Sequence, residues 1–169
     1  EKTIGLEAIQ VVSLYELVSL IDLRISRKPN DHARAYFSAI IPETRKDSYV
    51  EKTAIEDRIE INQVEQGKKI GVLFKGLVTR IKVKTVRDIY YLEVEALSST
   101  YELDTKLKKR SFQNEQMSYE ELFQKVLQDY NGADCNDQVS NGAKLDRFII
   151  QYEETDWQFL KRMASRFGA

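Results

Sequence analysis

The segment that decides the fold is IGVLFKGLVTRIKVKTVRDIYYLEVEAL, residues 70–97. Apolar and charged residues alternate on both sides of a short TVRD turn, which is the pattern of two half-buried β-strands joined in a hairpin. The alternation places Arg80 and Lys82 opposite Glu93 and Glu95 on the solvent-facing side, where opposite charges stabilise a strand pair. This segment therefore predicts a long antiparallel hairpin with cross-strand ion pairs.

Neighbouring segments extend the β pattern. Residues 20–41 alternate around a KPND turn and predict a second hairpin, residues 57–63 predict a short strand, and residues 98–112 continue in extended form. Gly71 and Gly76 interrupt the long strand, and such glycines predict bends or bulges that curve a sheet towards closure. Strands of this kind with tight turns favour a small β-barrel, closed or partly open. In the second hairpin, the residues expected to face the core are Ile21, Leu23, Ile25, Ala33, Ala35, Phe37 and Ala39.

The last third of the chain changes from strand to helix patterning. Ser118 followed by Glu121 has the form of a capping box before a helically spaced apolar run, and Thr155 followed by Gln158 repeats that form. Between the two helices, residues 147–152 form a short apolar run that predicts a strand. The closing helix is expected to pack through Leu160, Met163, Ala164 and Phe167, with Trp157 at the edge of this stripe.

Together these patterns predict a mainly β chain with an α/β addition. We expect a small β-barrel over residues 1–112, followed over residues 113–169 by an α/β segment with two short helices. The 169 residues are enough to bury a core. Because the chain begins at Glu1 rather than Met and ends at Ala169 inside a strongly patterned segment, we expect it to be a fragment.

The composition argues against several classes of protein. Lys and Arg number 26 and Asp and Glu number 27, whereas a dedicated nucleic-acid binder usually has a basic excess. No apolar run approaches the roughly 20 residues of a membrane-spanning helix, and no signal peptide is visible. The single Cys135 cannot form an intramolecular disulfide, and the single His32, expected at the surface, leaves no Cys/His cluster for zinc. We therefore predict no metal, no cofactor and no membrane insertion.

Two interpretations compete for the acidic segment QYEETDWQFLKR, residues 151–162. Glu153 or Glu154 could serve a glycan hydrolase beside Trp157, but such enzymes need two carboxylates about 5–10 Å apart, one of them with a raised pKa. Alternatively, Glu153, Glu154 and Asp156 mark the N-terminus of a helix, whose dipole favours negative charge there. Adjacent glutamates in an extended chain point to opposite faces. We therefore favour the structural interpretation and predict no catalytic residue.

A basic run, KLKKR at residues 106–110, is the other candidate for chemistry. Together with Arg80 and Lys82 on a small barrel, it would suit an oligonucleotide-binding module. The surrounding strands hold as many acids as bases, and lysines at a strand edge also discourage edge-to-edge pairing. The oligonucleotide-binding barrel therefore stands as the alternative function.

Four motifs in order resemble one family. They are FKGLV at residues 74–78, YxLxVEA at 90–96, RSFQN at 110–114 and QYEETDWxFLKR at 151–162. The chain containing them resembles the hub region shared by the VgrG spike proteins of type VI secretion, the phage late-control gene D proteins and the baseplate hub proteins of contractile phages. The likeness is strongest over roughly the last 95 residues.

The resemblance implies a structural role and not catalysis. Hub chains of this family have two related β-barrels joined by a small α/β segment, and three chains form a ring between the tail tube and the spike. It therefore implies a homotrimer of the full-length hub, with tail tube and spike proteins as partners and no small-molecule substrate. Such a protein would be made in the bacterial cytoplasm and assembled into a virion tail or contractile injection particle. This chain would supply the first barrel and the segment after it.

Overall fold

The computed structural model describes residues 4–52 and 57–168, so Glu1 and Ala169 lie outside the described residues. The chain folds as two compact units, residues 1–99 and residues 100–169. Strands dominate the first unit, and helices pack on a small sheet in the second. The predicted fold class, mainly β with an α/β addition, is confirmed.

The first unit is one antiparallel sheet of six strands that curls into a half-barrel. The strand order is β1-β4-β5-β6-β3-β2, so β1 and β2 form the two edges and the barrel is partly open. A short helix, α1 (Lys46–Lys52), precedes β4. The strands are β1 (Ile9–Val12), β2 (Ser19–Ser26), β3 (Arg34–Ile41), β4 (Arg58–Glu65), β5 (Lys68–Val86) and β6 (Ile89–Ser98).

The long hairpin forms as the sequence predicts. In the β5–β6 register, Arg80 lies opposite Glu95 and Lys82 lies opposite Glu93. The turn that joins the strands has left-handed backbone angles at two consecutive residues, with φ of 50° at Arg87 and 61° at Asp88. Positive φ at both central residues is the geometry of the type I′ hairpin turn, whose twist matches that of the flanking strands.

The bulges that curve the sheet lie beside the glycines rather than on them. Register shifts between β4 and β5 leave Leu73 and Ile70 as the extra residues of β5. Gly71 has open space around it, whereas a Cβ on Gly76 would overlap the carbonyl oxygen of Leu97 on β6. One extra residue, Ile70, is the direct neighbour of Gly71, and at Gly76 the missing side chain allows two strands to approach closely.

The second predicted hairpin also forms, with one exception on its core face. β2 and β3 pair in antiparallel register, and the β3 residues expected in the core are buried: Ala35, Phe37 and Ala39. Ile21 instead remains 46% exposed. A register shift between Leu20 and Asp22 makes Ile21 the bulged residue, which turns it out of the alternation.

The second unit packs two helices on one face of a two-stranded sheet. Its elements are β7 (Leu107–Phe112), α2 (Tyr119–Leu127), β8 (Ile149–Thr155) and α3 (Asp156–Ala164). Residues Ser99–Asp104 form a 3-10 helix that buries Leu103, so the prediction of extended chain is wrong there. Within the described residues, β7 pairs with β8 and not with the six-stranded sheet. The predicted domain boundary at residue 112 stays a prediction.

Both predicted capping boxes are present and set where the helices begin. Ser118 and Glu121 cap α2 reciprocally, and Thr155 and Gln158 do the same for α3. The apolar stripe of α3 differs from the predicted one, because Phe159 is its fully buried centre. Trp157 and Leu160 are only partly buried. The core of this unit includes Phe112, Leu122, Val126, Leu145, Ile149, Phe159 and Met163.

Candidate functional site

The acidic segment at the end of β8 contains a bulge. Lys108 pairs with Glu154 and Lys109 pairs with Tyr152, so Glu153 is the extra residue of β8. Glu153 has a left-handed backbone, with φ of 49°. Its exposed carboxylate lies 3.0 Å from Lys109 Nζ. The bulge thus separates Glu153 from its neighbours and aims it at solvent.

Asp156, the first residue of α3, lies at the centre of a hydrogen-bond network. Its side chain is fully buried. Arg110 donates to it from both terminal nitrogens, at 3.2 Å and 3.4 Å. The Tyr130 hydroxyl donates to it at 2.7 Å, and Gln151 Nε2 also donates at 2.7 Å. A buried carboxylate is stable only when it is paired and fully hydrogen-bonded, and these four bonds meet that requirement.

A second acid completes the network. Asp129 accepts from Arg110 Nη2 at 2.7 Å and from Lys108 Nζ at 3.0 Å. The bond from Lys108, with the nearby Arg110 charge, lowers the pKa of Asp129. Burial raises the pKa of Tyr130, and its bond to Asp156 adds to the rise. Tyr130 therefore stays protonated as a hydrogen-bond donor.

Glu154 and Thr155 are also held by structural partners. Glu154 forms an ion pair with Arg162 of α3, whose Nε lies 3.1 Å from Oε2. Arg162 also donates to the carbonyl oxygen of Ile150 at 2.7 Å. Thr155 Oγ1 donates to Asp104 while it accepts from the backbone N–H of Gln158 at 3.1 Å. These contacts join β8 to the start of α3.

The acids of this segment serve to hold the second unit together. Asp156 is inaccessible to a substrate, Glu154 is bound by an arginine, and Glu153 is an exposed ion-pair partner. A general acid needs contact with substrate and an apolar pocket that raises its pKa, and the surroundings of these side chains are instead charged and polar. In the described part of the chain, no group of three or more His, Cys, Asp or Glu side chains is placed to hold a metal ion.

Most of the basic residues of the alternative interpretation form ion pairs with neighbouring acids. On the half-barrel, Arg80 lies 3.8 Å from Glu95, and Lys82 lies opposite Glu93, which is also bound by Lys84. In the run at residues 106–110, the three residues with acidic partners are Lys108, Lys109 and Arg110. A phosphate-binding groove needs cations that are not already paired.

The surroundings of His32 and Cys135, the two remaining candidates, do not indicate a chemical role. His32 is half-buried beside the β2–β3 turn, where its backbone N–H donates to Asp31 Oδ1 at 2.8 Å. Cys135 lies in the loop between α2 and β8, and burial, together with Asp137 and Asp134, raises the pKa of its thiol. A raised pKa lowers the fraction of reactive thiolate. Among the helices of the described residues, none is both long and apolar enough to cross a membrane.

A comparison with protein families finds one whose model covers most of the chain. The family described as "Phage tail baseplate hub (GPD)" matches residues 46–169. The chain belongs to this family. The match includes β4–β6 and the whole second unit, so the Asp156 network lies inside the part that defines this hub chain.

Solved tail proteins have a similar fold. The 43 kDa tail protein of prophage MuSo2 from Shewanella oneidensis gives a TM-score of 0.66 at 13% identity, covering 95% of this chain and 49% of its own. The tail protein of Neisseria meningitidis MC58 gives a TM-score of 0.63 at 14% identity, and the match covers 95% of this chain and 45% of that protein. The E. coli c3393 protein gives a TM-score of 0.55 at 14% identity, and the match covers 86% of this chain and 43% of that protein. It is described as a type VI secretion component with structural similarity to the T4 tail proteins gp27 and gp5.

The TM-scores show a shared fold, and the identities of 13–14% show nothing further. The hub chain spans less than half the length of each of the three solved structures. A comparison with curated protein sequences finds no match. The resemblance drawn from the four sequence motifs is therefore confirmed at the level of the family and the fold.

Sequence reasoning found the acidic segment but missed the partners that explain it. Tyr130 and Asp129 gave no signal, because each becomes important only when distant parts of the chain meet around Asp156, and Gln151 was marked only as the first residue of the QYEETDWxFLKR motif. Arg110 was noted as part of a basic run, and its pairing with a buried carboxylate appears only in the folded unit. The RSFQN motif, which begins at Arg110, was the available clue, since it marked this residue as part of the family pattern.

Proposed function

We propose that this chain is a structural part of the hub of a contractile tail or injection particle. The observation that carries the proposal is the match of residues 46–169 to the baseplate hub family. The tail-protein fold of both units supports it. In this role the full-length hub forms a homotrimeric ring, with residues 1–112 as its first barrel, that joins the tail tube to the spike.

The open half-barrel supports an assembled role. β1 and β2 end the sheet on either side, and each edge strand has backbone N–H and C=O groups that face away from its one partner. Such edges pair readily with another chain. In the ring, β2 is the longer edge, with eight residues against four in β1, and it is the better candidate for contact with a neighbouring chain.

The role is mechanical rather than catalytic. The acids that first suggested chemistry bind arginine, lysine and tyrosine inside the second unit, and they stiffen it. A unit held together by such bonds suits a structural part of a particle. The protein is made in the bacterial cytoplasm and joins the particle there, with tail tube and spike proteins as its neighbours.

Electron microscopy of labelled particles tests the proposal. An affinity tag on the full-length protein, detected with gold-labelled antibody, should place the label at the baseplate or spike end of purified particles. Absence of label from that end, in particles that contain the tagged protein by immunoblot, would overturn the assignment. Size-exclusion chromatography with light scattering should give the full-length hub the mass of a trimer. A monomer at micromolar concentration would contradict the trimeric ring.

A further inference from the structure

A recess of about 450 Å³ lies in the second unit where the end of α3 meets the start of α2. Arg166 and Phe167 line it from the end of the α3 segment, and Tyr119 lines it from the first turn of α2. The third wall is the segment 143–147. Liquid water occupies about 30 Å³ per molecule, so the recess has room for an organic side chain and not only for a small ion.

The walls of this recess are fixed by backbone hydrogen bonds. The N–H of Tyr119 donates to Ala143 O at 3.1 Å, and the N–H of Leu145 donates to Met117 O at 2.9 Å. Leu145 is fully buried and anchors the segment in the core. Lys144, its neighbour in the chain, is exposed at the recess. The lining is therefore held in place before any partner arrives.

Two cations of the recess are held by neutral groups. Lys144 Nζ donates to the amide oxygen of Gln116 at 2.7 Å, and Arg166 Nη1 donates to the Tyr119 hydroxyl at 2.9 Å. The Tyr119 ring is buried and packs edge-on against Phe167, with centroids 4.8 Å apart. These bonds position the two cations without cancelling their charge.

Arg147, the third cation of the recess, forms an ion pair with Asp146. Arg147 Nε lies 3.0 Å from Asp146, and this bond lowers the pKa of Asp146, so that the carboxyl is ionised at neutral pH. Of the described residues that line the recess, three are cationic and Asp146 is the acid. Arg166 also acts on Asp146 through its charge, and the recess is electropositive because three cations face one acid.

We propose that this recess binds acidic side chains of a partner protein. Carboxylates suit it because arginine and lysine donors form their strongest hydrogen bonds with anionic oxygens. The choice of a protein as occupant rests on the proposed hub function, since a hub works by contact with other proteins. The feature differs from the Asp156 network, whose charges are already balanced inside the unit.

Titration of the purified chain with a capped hexaglutamate peptide at low salt tests the proposal. Amide NMR shifts should change saturably around residues 143–147 and at the end of α3. Lys144→Gln and Arg166→Gln should each weaken binding about threefold to fivefold, the range of a solvated ion pair. Asp146→Asn should tighten it by a similar factor, because the repelling charge disappears and Asn tolerates the left-handed backbone at this position, φ 54°.

Lys125→Gln is the matched control, since Lys125 is an exposed lysine of α2 outside the recess lining. Equal weakening in this variant would show attraction by net charge only and would overturn the site.

Inorganic phosphate and a thymidine oligonucleotide of the same charge are the competing probes, and tighter binding of either one would overturn the protein partner. If either Lys144→Gln or Arg166→Gln fails to fold, the other variant still tests the site. The titration uses the purified chain, whereas the hub assignment is tested on labelled particles. Absence of peptide binding would therefore not contradict the hub assignment, and a failed hub assignment would not change the measured binding.

Discussion

Arg110 of β7 holds the buried carboxylate of Asp156, the first residue of α3, through both of its terminal guanidinium nitrogens, at 3.2 Å and 3.4 Å. The two residues are 46 positions apart in the chain. A planar guanidinium matches the two oxygens of a carboxylate, so the pair fixes orientation as well as distance. Through this contact, the first strand of the second unit is bound to the first residue of its last helix.

Loss of this pair should destabilise the second unit strongly. Arg110→Gln leaves the Asp156 charge buried with two neutral donors and with Lys108, whose Nζ lies 3.9 Å from Oδ2. Breaking a buried pair in this way costs about 3–5 kcal/mol. Urea unfolding at pH 7, followed by far-UV circular dichroism, measures the change in unfolding free energy. Lys109→Gln is the control, because Lys109 and Glu153 are both more than half exposed and such pairs contribute at most about 1 kcal/mol. Similar losses in the two variants would contradict a special role for Asp156.

The capping box of α3 should make a smaller, separate contribution. Thr155→Ala removes the acceptor for the Gln158 N–H and also the donor to Asp104. Loss of an N-cap side chain costs about 1 kcal/mol, and the bond to Asp104 raises this to about 2 kcal/mol. Ser111→Ala, an exposed substitution on β7, serves as the control in the same urea experiment. A Thr155→Ala variant as stable as Ser111→Ala would show that the helix start does not depend on its cap.

Local patterns predicted the elements of this fold well. Alternation gave the β5–β6 hairpin and its register at Arg80 and Lys82, because the side-chain period of a strand is fixed by backbone geometry. The caps at Ser118 and Thr155 were predictable because a capping box is satisfied within four consecutive residues. The family motifs then predicted what local patterns could not, that the chain belongs to the baseplate hub family.

Features that depend on distant contacts were not predictable. Glu153, Glu154 and Asp156 look equivalent in the sequence, yet one is exposed, one is bound by Arg162 and one is buried. The difference comes from a bulge at Glu153, whose left-handed backbone is uncommon for a residue with a side chain. Similarly, the bulge at Ile21 turns an expected core residue to solvent, and no local signal marks it.

The two glycines of β5 provide a test of how closely the strands approach. Gly76→Ala should destabilise the half-barrel by about 2 kcal/mol, a typical cost of overpacking, because its Cβ would overlap the Leu97 carbonyl oxygen. Gly71→Ala should be near neutral, since it has open space for the methyl group. Thermal unfolding of both variants, monitored at the same protein concentration, makes the comparison. Equal melting temperatures would contradict the close approach at Gly76.

Glu60 of β4 should make the half-barrel sensitive to acid. The bond from Lys69 contributes most to lowering its pKa to about 2, with further bonds from Asn62 and Lys75. A depressed carboxyl pKa stabilises the fold above the unfolded value of 4.5, and this stabilisation is lost as the pH falls towards 2. Glu60→Gln should therefore reduce stability at pH 6 and flatten the decline between these two pH values.

The urea midpoint measured from pH 6 to pH 2 tests this linkage. High salt should reduce the difference between wild type and Glu60→Gln, because both lysine partners are partly exposed. Glu65→Gln is the matched control on the same strand, at an exposed position. If Glu60→Gln and wild type lost stability in parallel as the pH falls, the three-way contact among Glu60, Lys69 and Lys75 would not be the source of the acid sensitivity.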